Sequence, residues 1–299
     1  MAVATISTTS CSKSDDINDI DPVQAAINIL PTLNNATETR SDAAYMPVGG
    51  VIELLYDAVD GNTQSAKFKS DGDDWSEDGT PLYWDDLTAN AANYKFYAFA
   101  PAKPAAAPAV LADQKSQLNN TASDLLVAYS STATKTTLPL AFKHVLSQIK
   151  VSVTTNAEGT SGHLSLMDTK LSIKGAYRGY TLDYSSAAAT TPAVATVAVT
   201  PALDEIQPFI GNRTNTSAAF QTILPAQNFA VKTLVLTFTI KDRIYTWKNS
   251  SAIDNLTAGQ SLNIALKVTQ TGITLKAGGI TLTPWNDLPL DGGNIDIDE

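Results

Sequence analysis

Residues 93–101 read NYKFYAFAP, and the fold is decided by how this stretch is laid out. In an extended chain Tyr94, Phe96, Ala98 and Ala100 fall on one side, and Tyr97 and Phe99 on the other. Successive side chains of a strand point to opposite faces, so this period places one face in a core. Pro101 has no amide hydrogen to donate and ends the ladder there.

The same period recurs in both directions along the chain. VIELLY (51–56), DLLVAY (124–129), QIKVSVT (148–154), TLVLTFTI (233–240), IYTW (244–247) and SLNIALKV (261–268) are all short and apolar or alternating. GITLKAGGITLTPW (272–285) reads as two runs parted by Gly-Gly, and VQAAINIL (23–30) puts Val23, Ala25, Ile27 and Ile29 on one side. Gly, Pro, Asn and Asp separate the runs, and 36 threonines suit half-exposed strands. A parallel α/β sheet needs intervening helices of roughly 10–15 residues, and only LADQKSQLNN (111–120) offers even a short helical turn. The class is all-β, built as sandwiches.

A length of 299 residues accommodates two domains. The net charge is −10, and it is unevenly spread: residues 1–141 hold 8 basic and 18 acidic side chains, residues 142–299 hold 12 of each. The division is expected as a polar leader and linker over 1–22, an N-terminal sandwich over 23–141 and a C-terminal sandwich over 142–299. Nucleic acid is excluded as a partner, because phosphate neutralisation needs clustered Lys and Arg. One cysteine excludes an internal disulfide and a thiolate zinc site, and two histidines leave little for metal chemistry. No cofactor is expected.

Four features carry a functional reading beside a plain one. Cys11 follows TISTTS and precedes a polar acidic run. It is either a stray thiol or the acylated cysteine of a bacterial lipoprotein, whose acyl chains hold the protein at a membrane. Arg40, one of four arginines, lies in NNATETRSDAAY. It is either a solvated loop residue or a protease target before Ser41. Trp75, Tyr83 and Trp84 sit among seven carboxylates in residues 71–86. The plain reading packs Tyr83 and Trp84 on a sheet edge with the acids in water, and the functional one makes all three a contact loop for a sugar. His144 and His163 accompany no GxSxG, HExxH, P-loop or GxGxxG pattern, so an enzyme is not expected.

The ordered set Ser10-Cys11, Thr39-Arg40, DGTPLYWDD (78–86), YKFYAFAP (94–101), LPLAFKHVLSQIKVSVT (138–154), LTAGQSLNIALKVTQTGI (256–273) and ITLTPWND (280–287) resembles the fimbrillin-like proteins of Bacteroidales, the FimA/Mfa-like pilin subunits. The resemblance implies two tandem transthyretin-like β-sandwiches and export as an outer-membrane lipoprotein through Cys11. It implies cleavage between Arg40 and Ser41, loss of a first strand at about 23–30 carrying Val23, Ile27 and Ile29, and filling of the vacated groove by a strand of another fimbrial subunit. The inserted strand is expected in the C-terminal stretch from Ile280, where Ile295 and Ile297 alternate. A host glycan or protein receptor is a further partner, and a surface lipoprotein that binds glycans is the alternative function.

Overall fold

Short alternating segments become strands wherever their apolar side can be covered. The computed structural model describes residues 24–35, 38–40, 49–72, 74–89, 93–102, 108–183, 194–197 and 205–285. The N-terminal half contains β1 (Ile29–Asn35), β2 (Glu38–Arg40), β3 (Val51–Asp57), β4 (Thr63–Ser70), β5 (Trp75–Glu77), β6 (Tyr94–Ala100), β7 (Leu126–Thr132) and β8 (Leu138–His144). Hydrogen bonding orders them β2-β1-β8-β7-β6-β3-β4-β5.

The strand β8 makes this ladder a sandwich. Residues 138–142 pair in parallel with β1, whereas Lys143 and His144 pair antiparallel with Val127 and Leu126 of β7. Along β8 burial alternates strictly, with Leu138, Leu140 and Phe142 inside. These three share one core with Ile27 and Ile29 from the first segment and with Ile52, Leu54, Phe68 and Phe96 from the facing strands.

The C-terminal half contains β9 (Ser147–Thr154), β10 (Lys170–Lys174), β11 (Tyr180–Asp183), β12 (Val194–Val197), β13 (Phe209–Arg213), β14 (Ser217–Leu224), β15 (Val235–Ile240), β16 (Arg243–Lys248), β17 (Gln260–Thr269) and β18 (Gly272–Pro284). A five-stranded sheet, β13-β14-β9-β17-β18, lies over a three-stranded sheet, β10-β15-β16. Ile149, Val151, Phe220 and Ile264 of the first meet Ile173, Leu236, Phe238 and Trp247 of the second in one core. The architecture is an all-β sandwich arrangement, as the alternation requires.

Three local features follow from this layout. Residue 141 lies within β8, so the passage from one sheet system to the other falls at the turn between His144 and Ser147. The two runs around Gly278-Gly279 are one strand, because β17 pairs with both, through a bulge between Leu275 and Ile280. Gly279 is required there, since a Cβ would stand 2.6 Å from the Ala265 carbonyl oxygen. The expected helical turn is α1 (Gln117–Ala122), capped by Ser116, whose hydroxyl accepts from the Asn119 amide at 3.1 Å.

The halves are joined by more than the chain. Residues 108–124, between β6 and β7, run along the C-terminal half through bridges from Ala109 to Gly179 and from Asp113 to Gln207. Gln114 is fully buried there: its amide donates to the carbonyls of Leu111 and Ile223, and its oxygen accepts from Asn120, Thr222 and the Ile223 amide, all within 3.0 Å. A third apolar cluster, with Leu55, Phe99 and Val127 from one half and Ile223 and Trp285 from the other, fills the junction.

Candidate functional site

The first described segment is held on both sides. On one side the Ile27 amide donates to the Leu82 carbonyl at 2.9 Å, and the Trp84 amide donates to the Ala25 carbonyl at 3.0 Å. On the other the Leu138 amide donates to the Asn28 carbonyl at 2.7 Å, and from there Ile29 to Leu33 run in register with Leu138 to Phe142. Ile27 and Ile29 point inward, 1% and 8% exposed, while Leu30 faces outward. Fully burying an isoleucine is worth about 1.5–3 kcal/mol, so the pair anchors the segment by about 3–6 kcal/mol, an upper figure.

The strand itself differs from the expected 23–30. Ladder pairing to β8 begins at Ile29 and runs to Leu33, and the strand itself continues to Asn35. Residues 24–28 are extended, with a single bridge from Ala26 to Tyr83, and Ala25 is exposed. A short antiparallel return follows: Glu38–Arg40 folds back on β1, with Arg40 opposite Leu33. This return ends the strand order, so among the described residues it is paired on one side only. A cut after Arg40 would therefore release both strands of this hairpin. Cys11, Val23 and Ser41 lie outside the described residues.

The aromatic loop is part of the seat and not a platform. A single 3-10 turn over Trp84–Asp86 drives Trp84 inward, and the Asp86 carboxylate stabilises the turn by accepting from the Tyr83 amide at 3.0 Å. The Trp84 indole is 1% exposed and meets the rings of Tyr94 and Phe96 edge-on, at centroid distances of 5.2 and 5.8 Å. It cannot stack on a sugar face. Trp75 is half-buried against the same core and Tyr83 is half-buried beside the first segment. Asp85 stays at the surface, in an ion pair with Lys135.

Sequence reading missed the residues that face the first segment: the backbone of Leu82 and Trp84, and the strand Leu138–Phe142. The alternation in LPLAFKH reveals the inward side of β8, but no sequence signal names its neighbour. Among the described residues no group of three or more His, Cys, Asp or Glu side chains can hold a metal ion. None of their helices is long and apolar enough to cross a membrane.

The fimbrillin-like family profile matches residues 23–285, nearly the whole of both sandwiches. The chain belongs to the fimbrillin-like family. No curated protein matches it significantly in sequence. Among crystal structures, a candidate cell adhesion protein of Bacteroides uniformis shares the fold of this fimbrillin-like chain with a TM-score of 0.59 at 20% identity, over 87% of this chain and 99% of its own. A candidate cell adhesion protein of Bacteroides ovatus gives 0.62 at 14%, over 88% and 98%. A candidate adhesin of Bacteroides thetaiotaomicron gives 0.50 at 10%, over 89% and 98%. At these identities the likeness is one of fold, and it extends through both halves.

Proposed function

We propose that this fimbrillin-like chain is a structural or adhesive subunit of a bacterial surface fimbria and has no catalytic role. Cys11 is the lipid attachment point, the outer membrane the first destination, and the peptide bond between Arg40 and Ser41 the processing site. The observation that supports assembly by strand addition is the seat of β1. A strand at the chain's beginning is inserted beside β8 by backbone pairing and two isoleucines, and a hairpin return ending in Arg40 follows it.

Removing residues 1–40 would leave the β8 ladder from Leu138 to Phe142 unpaired and the Trp84 side of the core uncovered. Unpaired edges over an apolar trough accept a strand from another chain. Of the C-terminal stretch from Ile280 expected as the donor, residues 280–284 pair with Gln260–Ile264 of β17 within this chain, and Ile295 and Ile297 lie outside the described residues. The glycan-binding alternative loses its aromatic platform with the burial of Trp84.

Limited digestion with an Arg-specific protease tests this reading. Cleavage after Arg40 followed by growth of polymers is the expected result. Protein that resists cutting at Arg40, or that stays monomeric once residues 1–40 have left, would falsify it.

A further inference from the structure

The two sheets of the C-terminal sandwich are unequal. Five strands face three, and both β18 and β16 end their strand orders. The register with β17 sets Leu275 opposite Leu266 and Leu282 opposite Leu262. Directly opposed residues share a face, so the β18 leucines point to the core side. Leu262 and Leu266 are fully buried there, whereas Leu282 and Leu275 are 36% and 37% exposed. Ile273 and Ile280 lie on the same row and are only partly covered. The outward positions Thr274, Lys276, Thr281 and Thr283 are polar. Strand β18 thus carries an apolar row that the three-stranded sheet, ending at β16, does not reach across.

The other wall of the gap is the free edge of β16. The two-residue turn Lys241-Asp242 joins β15 to β16, so the flanking pair Ile240 and Arg243 is hydrogen-bonded and the bonding alternates from there. The amides and carbonyls of Ile244 and Thr246 therefore point away from β15, and among the described residues they meet no partner. A cleft of about 580 Å³ opens between residues 243–246 of this edge and residues 270–273 of the β17–β18 hairpin. Arg243 begins the edge, its guanidinium donating to the Gln270 carbonyl at 3.2 Å, and Lys248 ends it. Neither makes an ion pair among the described residues.

The chain holds a segment of matching chemistry. Residues 286–299 follow directly on β18 and carry five acids and no base. Leu288, Leu290, Ile295 and Ile297 repeat the spacing of the β18 row, 273, 275, 280 and 282, with a Gly-Gly pair inside each interval of five. At roughly 3.3 Å per residue this segment spans about 46 Å, enough to return along the 13 residues of β18. We infer that residues 286–299 turn back at the end of β18 and add to β16 as a fourth strand, closing the gap over the apolar row. Their apolar side chains cover Leu275 and Leu282, and Asp296 and Asp298, on the opposite face, lie beside Lys248. Pro289 is tolerated because the added strand is an edge strand. Charge decides against a second β16 as the occupant, since antiparallel pairing of two copies sets Arg243 against Lys248. The inference concerns the uncut chain and does not depend on processing at Arg40.

The test compares the uncut chain with a variant ending at Trp285, by amide hydrogen exchange and by titration with a synthetic peptide of residues 286–299. In the full chain the amides of Ile244 and Thr246 should exchange at least about tenfold more slowly than in the shortened one. The peptide should bind the shortened chain with a Kd below about 1 mM, more weakly as salt is added, and the full chain at least about tenfold less tightly. Should the shortened chain fail to fold, Ile295→Ser/Ile297→Ser in the full chain gives the same readout, faster exchange at Ile244 and Thr246 with the other strands still protected. Equal exchange in the full and altered chains, or a peptide that binds neither chain, overturns the inference. Equal binding of the peptide to both chains means a groove left open for another chain's strand, and protection that appears only as the full chain dimerises assigns the groove to a second copy. Either result overturns it too.

Discussion

The imidazole of His144 lies flat on the indole of Trp285, with centroids 3.8 Å apart and planes 12° from parallel. Its Nδ1 meets the Asp124 carboxylate at 3.0 Å. His144 ends β8 and Trp285 directly follows β18, so the contact ties the last strand of the C-terminal half to the N-terminal half. Backbone bonds support it: the Trp285 amide donates to the Gly259 carbonyl, and the Gly259 amide to the Leu146 carbonyl, both at 2.7 Å.

Replacing Trp285 with alanine should destabilise the protein by about 3–5 kcal/mol, the usual cost of removing a buried tryptophan. Urea unfolding should show the midpoint drop or split into two transitions as the halves uncouple. An unchanged single transition would mean the contact contributes nothing.

Ile27 and Leu30 make an internal comparison within the first segment. Ile27→Ala should cost about 2–5 kcal/mol, because it empties a fully buried position. Leu30→Ala, at a side chain 49% exposed, should change stability by less than about 0.5 kcal/mol. Equal effects in denaturant melts would contradict the inward and outward assignment of the two side chains.

Gln114→Leu should be more damaging than its similar volume suggests. It strands the Ile223 amide and carbonyl and the Thr222 hydroxyl in a buried site, at about 1–3 kcal/mol for each unsatisfied group. Amide hydrogen exchange at Ile223 should speed up in the variant, and retained protection would argue that the network rearranges without loss.

Tyr180 sets an alkaline limit. Burial, reinforced by the charge of Asp124, pushes its pKa from 10.0 up to about 12. Between those values the unfolded chain has lost this proton while the folded chain keeps it. Stability from this group is thus complete below pH 10 and is lost as pH rises through about 12. Tyr180→Phe should flatten the fall in stability over that window, measured by urea melts at stepped pH. An unaltered slope would place the alkaline sensitivity elsewhere.

Much of this fold was legible because strand faces follow a period of two. LPLAFKH alternates along β8 as its burial does, SLNIALKV does so along β17, and Ile27 and Ile29 point inward as their spacing requires. The first strand begins later than VQAAINIL suggests, since residues 24–28 make a single bridge, to Tyr83, and continuous ladder pairing begins at Ile29. Trp84 was ambiguous because an aromatic residue among acids looks alike on a surface loop and on a 3-10 turn driven into a core.

Sequence alone therefore determined the all-β class, most of the inward faces, the confinement of acidity to the first half and the resemblance that the family profile bears out. Only the tertiary structure decided that β1 runs parallel to β8, that Leu82 and Trp84 clasp the first segment, that β18 is one bulged strand, and that Trp285 returns to His144. The reason is physical. Side-chain alternation is written locally, whereas every backbone amide and carbonyl is chemically alike, so the choice of partner strand emerges only when distant apolar faces are packed together.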